Sequence, residues 1–71
     1  MLSVEQESAM FTWMSERGYI EKEDKNGIVM YQRAGMLMEI NWDTGGVRIC
    51  QISYGYDKNV RYTTISKILG E

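Results

Sequence analysis

Seventy-one residues, 44% hydrophobic and 25% charged, suffice for one small domain spanning residues 1–71, in the range where a single core leaves about 3–5 kcal/mol of net stability. The formal charge of −2 argues against a domain devoted to phosphate backbone, and the absence of histidine removes the commonest general base and the commonest transition-metal ligand. No run is apolar enough to span a bilayer, no secretory leader precedes the first polar residues, and the lone Cys50 has no intrachain disulfide partner, so a cytoplasmic chain is expected.

In chain order, Ser3 followed by Gln6 has the form of a capping box, with Glu5 and Glu7 suited to the positive end of a helix dipole. Val4, Met10, Phe11 and Met14 share one helical face with Trp13 at its edge, which predicts an amphipathic helix of about 14 residues ending at Gly18. Tyr19 to Glu21 reads as a short strand. Residues 23–27, Glu-Asp-Lys-Asn-Gly, read as a polar turn in which Asn26-Gly27 supplies the positive φ angles of a tight reversal. Ile28 to Arg33 follows as a strand, and Gly35 breaks the run.

The strongest pattern lies at residues 36–52. Met36, Met38, Ile40 and Trp42 alternate with Leu37, Glu39 and Asn41, Asp43 to Gly46 reverses the chain, and Val47 and Ile49 resume beyond it, which predicts a β-hairpin. With Thr44-Gly45 as the loop, Trp42 faces Val47, Ile40 faces Ile49 and Met38 faces Gln51. With Gly45-Gly46 as the loop the partners shift by two, and every side chain keeps its face. Residues 53–59 read as a second turn region and Val60 to Thr64 as a further strand. Ile65, Ile68 and Leu69, at helical spacing, form a final helical turn capped by Thr63 or Thr64, or else continue as an edge strand.

The fold expected is therefore α+β: an N-terminal helix on a three- or four-stranded antiparallel meander, with a short C-terminal helix. The helix covers the Met38, Ile40, Trp42, Val47 and Ile49 face of the hairpin, because an isolated hairpin is at best marginally stable. The other face carries Leu37, Cys50, Ile52 and Tyr54 beside Glu39, Asn41 and Arg48. The C-terminal Ile65, Ile68 and Leu69 are expected to cover it, the alternative being a partner. With no proline in the chain, edge strands need charges as guards, for which Lys58, Arg61 and Lys67 are candidates.

Nothing in this pattern assembles a catalytic or cofactor site, and a non-enzymatic role with no cofactor and no metal is expected. Cys50 reads as a small apolar side chain near Glu39, with Arg48 on its face. Alignment of Gly27 with the turn glycine of a calcium loop puts Lys22 and Arg33 at ligand positions, both wrong in charge. Gly45-Gly46 lacks the helix and Lys-Ser/Thr of a phosphate-binding loop. Tyrosine with arginine, in contrast, is the pairing most enriched in binding hot spots. Tyr54, Tyr56, Tyr62, Arg48 and Arg61 are the candidate contacts, with the turn at Tyr54-Gly55-Tyr56 foremost, and the acids Glu21, Glu23 and Asp24 could engage a basic partner.

In size, acidity and lack of catalytic groups the chain resembles the small inhibitors encoded by phages and other mobile elements, anti-CRISPR proteins among them, a likeness of composition. The leading expectation is a protein-binding inhibitor or adaptor whose partner is another protein, a homodimer being the simplest case. The alternatives are a nucleic-acid-binding sheet face lined by Tyr31, Tyr54, Tyr56 and Tyr62 with Arg33, Arg48 and Arg61, and a structural subunit of a larger assembly. No membrane partner is expected.

Overall fold

Ser3 caps the first helix, α1 (Val4–Glu16), as its sequence predicts. Its hydroxyl accepts from the Gln6 backbone N–H at 3.1 Å, while the Ser3 N–H donates to the Gln6 side chain at 3.0 Å. In the computed structural model, which describes residues 2–71, five strands follow: β1 (Ile20–Lys25), β2 (Ile28–Arg33), β3 (Met36–Asn41), β4 (Gly46–Ser53) and β5 (Tyr56–Thr64), then a single helical turn, α2 (Ile65–Ile68). They form one antiparallel sheet in the order β1-β2-β3-β4-β5, each strand beside its neighbour in sequence.

The α+β class stands, but the sheet has five strands rather than three or four. The difference comes from the edges. Glu23, Asp24 and Lys25 belong to β1, leaving only Asn26 and Gly27 in the turn, both at positive φ. Tyr56 to Asn59 belong to β5, leaving Tyr54 and Gly55 as the second turn. Every residue of β1 is exposed, so no buried alternation marks it as a strand in the sequence.

The central hairpin pairs Ile40 with Val47, Met38 with Ile49, Glu39 with Arg48 and Leu37 with Cys50. Its loop is four residues long, Trp42 to Gly45, so the partners sit two positions from the register of a Thr44-Gly45 loop and four from that of a Gly45-Gly46 loop, while each side chain keeps its expected face. Asn41 sets this loop: its side-chain oxygen accepts from the N–H groups of Asp43 and Thr44 at 3.0 and 3.2 Å, and its carbonyl accepts from Gly45 N–H at 2.8 Å. Gly45 is at φ +81°, and a Cβ there would meet Leu2 at 3.2 Å.

Met10 and Met14 of α1 pack on Val29, Tyr31, Met38, Ile40 and Val47, with Trp13, Tyr19, Trp42 and Ile49 around them. Two residues assigned to the apolar face of the helix lie outside this core. Val4 is 80% exposed, and Phe11, 50% exposed, stacks on Trp42 with ring centroids 4.9 Å apart. Trp42 in turn donates from Nε1 to the buried Tyr31 hydroxyl at 3.1 Å.

The largest correction concerns the C-terminus. Ile65, fully buried, joins the same cluster as Met10 and Met38, with Ile68 and Leu69 beside it. The tail thus closes the helix-covered face and not the other one. Local bonds impose this. Thr64, opposite Gly46, caps α2 by accepting from Lys67 N–H at 3.2 Å, and Ile65 N–H donates to the Gly45 carbonyl at 2.9 Å. The Gln6 side chain then donates to Ser66 Oγ at 3.3 Å and to Glu71 at 3.0 Å, joining the two helices. The second face of the sheet is left without a covering element, with Ile28 42% exposed upon it. No helix is long and apolar enough to cross a membrane among the described residues.

Candidate functional site

The register divides the expected contact residues between the two faces and edges of the sheet. Tyr54, Tyr56, Arg61 and Tyr62 come together on the outer hairpin, β4–β5, with Arg48 beside Tyr62 on the second face. Glu21, Glu23 and Asp24 lie at the opposite edge, on β1, and do not converge. Glu21 and Asp24 pair with Tyr31 and Val29 on the helix-covered side, whereas Glu23 pairs with Met30 on the second face and sits 3.4 Å from Lys25.

The tyrosines named for a nucleic-acid surface do not share a face either. Tyr31 is buried beneath α1, Tyr62 adjoins Arg48 on the second face, and Tyr56, opposite Ser53, lies on the side of Lys58 and Arg61. Arg33 lies over the Tyr19 ring at 5.3 Å.

On the second face Arg48 ties three strands together. Its guanidinium donates to Glu39 on β3 and to Asp57 on β5, both at 2.8 Å. These carboxylates, Asp57 foremost, hold it charged by raising its pKa further above an already high ordinary value. The floor of the shallow groove between Ile28 and Tyr62 thus holds a paired charge network with one carboxylate in excess, flanked by apolar side chains. Such a floor suits a protein surface better than an isolated anion.

Cys50 lies opposite Leu37 rather than Glu39. It is buried, with the Arg48 guanidinium 3.7 Å from its sulfur. Burial pushes its thiol pKa up and outweighs the opposing pull of Arg48. The folded chain therefore holds this proton to higher pH than the unfolded one. That contribution to stability is complete below the ordinary thiol range, about pH 8.5, and is lost as pH rises through the folded value. Urea midpoints of the wild type should fall on the alkaline side, and the fall should be shallower in Cys50→Ala. Tyr31, also raised by burial, adds the same sign at higher pH in both proteins. Alkylation of Cys50 at neutral pH should require unfolding.

Tyr54 is the residue whose conformation is least expected. It occupies the first position of the β4–β5 turn at φ +52°, with Gly55 at +84°, and is 99% exposed. Both angles match the two-residue reversal that favours Asn-Gly, the sequence used in the β1–β2 turn. A tyrosine in the left-handed region costs roughly 1 kcal/mol relative to residues that visit it readily, and this one packs on nothing. Tyr54→Asn should stabilise the fold by about 0.5–1 kcal/mol, read as a higher urea midpoint. The sequence pattern points to this ring through its glycine neighbour; the strain is visible only in the backbone.

Comparison with protein-family models, curated proteins and solved structures finds no match to this chain.

Proposed function

We propose that the protein is a small non-enzymatic protein-binding module, an inhibitor or adaptor whose contact surface is the β4–β5 hairpin. The observation that carries this reading is Tyr54: a large ring displayed wholly to solvent from a strained position that asparagine or glycine would occupy at lower cost. Tyrosine contributes broad amphipathic contact area with few rotatable bonds, which suits it to the centre of an interface. Tyr62, exposed on the second face, extends the surface along β5, where Arg48, fixed by two carboxylates, gives it a rigid polar anchor, and the exposed Tyr56 flanks the turn on the other face.

A photo-reactive side chain placed in turn at Tyr54, Tyr62 and Lys22, in cells of the native host, tests the reading. Cross-links to a discrete protein from positions 54 and 62, absent from position 22 on the opposite edge, are expected. Equal yields from all three positions, or none from 54 and 62, would contradict it. Binding to that protein should weaken in Tyr54→Asn although the fold is more stable.

A further inference from the structure

The bulge in β5 sorts charge between the two faces of the sheet. Residues three apart in a regular strand point to opposite faces, but Ile49 pairs with Arg61 and Gln51 with Lys58. Asn59 and Val60 therefore share the place opposite Cys50, with Asn59 at φ +55°. Through this extra residue Lys58 and Arg61 emerge on the same side, and Asp57 and Tyr62 on the other. Asp57 is neutralised by Arg48, whereas Lys58 and Arg61 form no ion pair among the described residues. The outer edge of β5 pairs with no other strand, and all its residues but Thr63 are exposed.

We propose that β5 receives an extended acidic segment of another protein as a sixth strand, its acidic side chains meeting Lys58 and Arg61 and its alternate, apolar side chains meeting Tyr62. The proposal rests on the protein-binding reading above and gives the partner its chemistry. Main-chain pairing to an open edge supplies affinity, and the alternation of side chains supplies selectivity. The two unpaired cations favour an acidic strand there, since opposite charges across neighbouring strands attract and like charges repel. The same cations disfavour a second copy at this edge. A two-fold antiparallel β5 pair keeps the faces aligned and sets Lys58 and Arg61 against their own counterparts. The other edge is a poorer receptor for an acidic strand, since β1 carries charges of both signs, Glu21, Glu23 and Asp24 among them, and its Lys25 is already paired with Glu23.

The rival role for Lys58 and Arg61 is that of guards that keep any strand from adding. Titration of the isotope-labelled full chain with a blocked nonapeptide alternating glutamate with valine separates the two roles, using amide chemical shifts and exchange rates. The proposal expects shifts and slowed exchange confined to Lys58–Thr64, weakened about tenfold or more by Lys58→Glu with Arg61→Glu. It also expects a lysine-for-glutamate peptide to bind the doubly reversed variant in preference to the wild type. Unmoved β5 amides, or binding indifferent to the charge reversal, would overturn it, as would preference for an oligothymidine of similar length over the peptide. Failure here is distinguishable from failure of the broader reading, which is scored by the cross-links at positions 54 and 62.

Discussion

Ile40→Ala should remove about 2–5 kcal/mol of stability, as much as a domain of this size is expected to possess. Ile40 is fully buried on the central strand, β3, paired with Val29 on one side and Val47 on the other, in the cluster that includes Met10 and Met14. The fold has little capacity to close the space left behind, because the neighbours on both sides belong to paired strands. Far-UV circular dichroism with urea should show a chain largely unfolded at room temperature. A midpoint within experimental error of the wild type would mean that α1 does not pack where the structure places it.

Ile65→Ala should cost about 2–4 kcal/mol, whereas Ile28→Ala should cost less than about 0.5 kcal/mol. The substitution is chemically identical and only the site differs. Ile65 has no exposed surface and its N–H is bonded to the Gly45 carbonyl, so its loss loosens the junction of α2, the β3–β4 loop and the start of α1. Ile28 is 42% exposed on the face that neither helix covers. Were the tail folded over the second face instead, the two costs would converge, since Ile28 would then be buried beneath it. Urea midpoints of the two variants, measured together, read this directly.

These two isoleucines also mark where the sequence is informative and where it is silent. The Ser3–Gln6 capping box, the Asn26-Gly27 turn and the alternation from Met36 to Ile49 each rest on local chemistry, and each appears in the structure with its expected partners or faces. Face assignment survived even though the register did not, because a shift of two preserves it. The loop length depended on Asn41 accepting two backbone bonds, a choice among several turns that fit the same residues. The side taken by the C-terminal turn depended on the bond from Ile65 to Gly45 and on Gln6 reaching Ser66 and Glu71. Partners sixty residues away leave no periodic signal. The second half of β1 and the first half of β5 read as turns for a related reason: an edge strand exposed on both sides has no alternation to display.

The candidate site was legible in composition and illegible in geometry. Tyr54, Tyr56, Arg61 and Tyr62 lie on one hairpin, divided between its faces, and Arg48 adjoins Tyr62. Glu21, Glu23 and Asp24 form no cluster, because the adjacent Glu23 and Asp24 of a strand point to opposite faces, and the bulge between Glu21 and Glu23 sets Glu21 on the side of Asp24. The matching bulge in β5, which sets Lys58 and Arg61 on one side, has no counterpart in any residue count. Lys58 therefore enters the site only through the structure.

With the tail closing the helix-covered face, the second face and the β5 hairpin are left free for a partner. Methyl spectra of the monomeric chain with a soluble gadolinium chelate test this most directly. The methyl groups of Ile28 and Val60 should broaden strongly while those of Ile40 and Ile65 remain sharp. Broadening of Ile65 together with protection of Ile28 would place the tail on the second face and contradict the account.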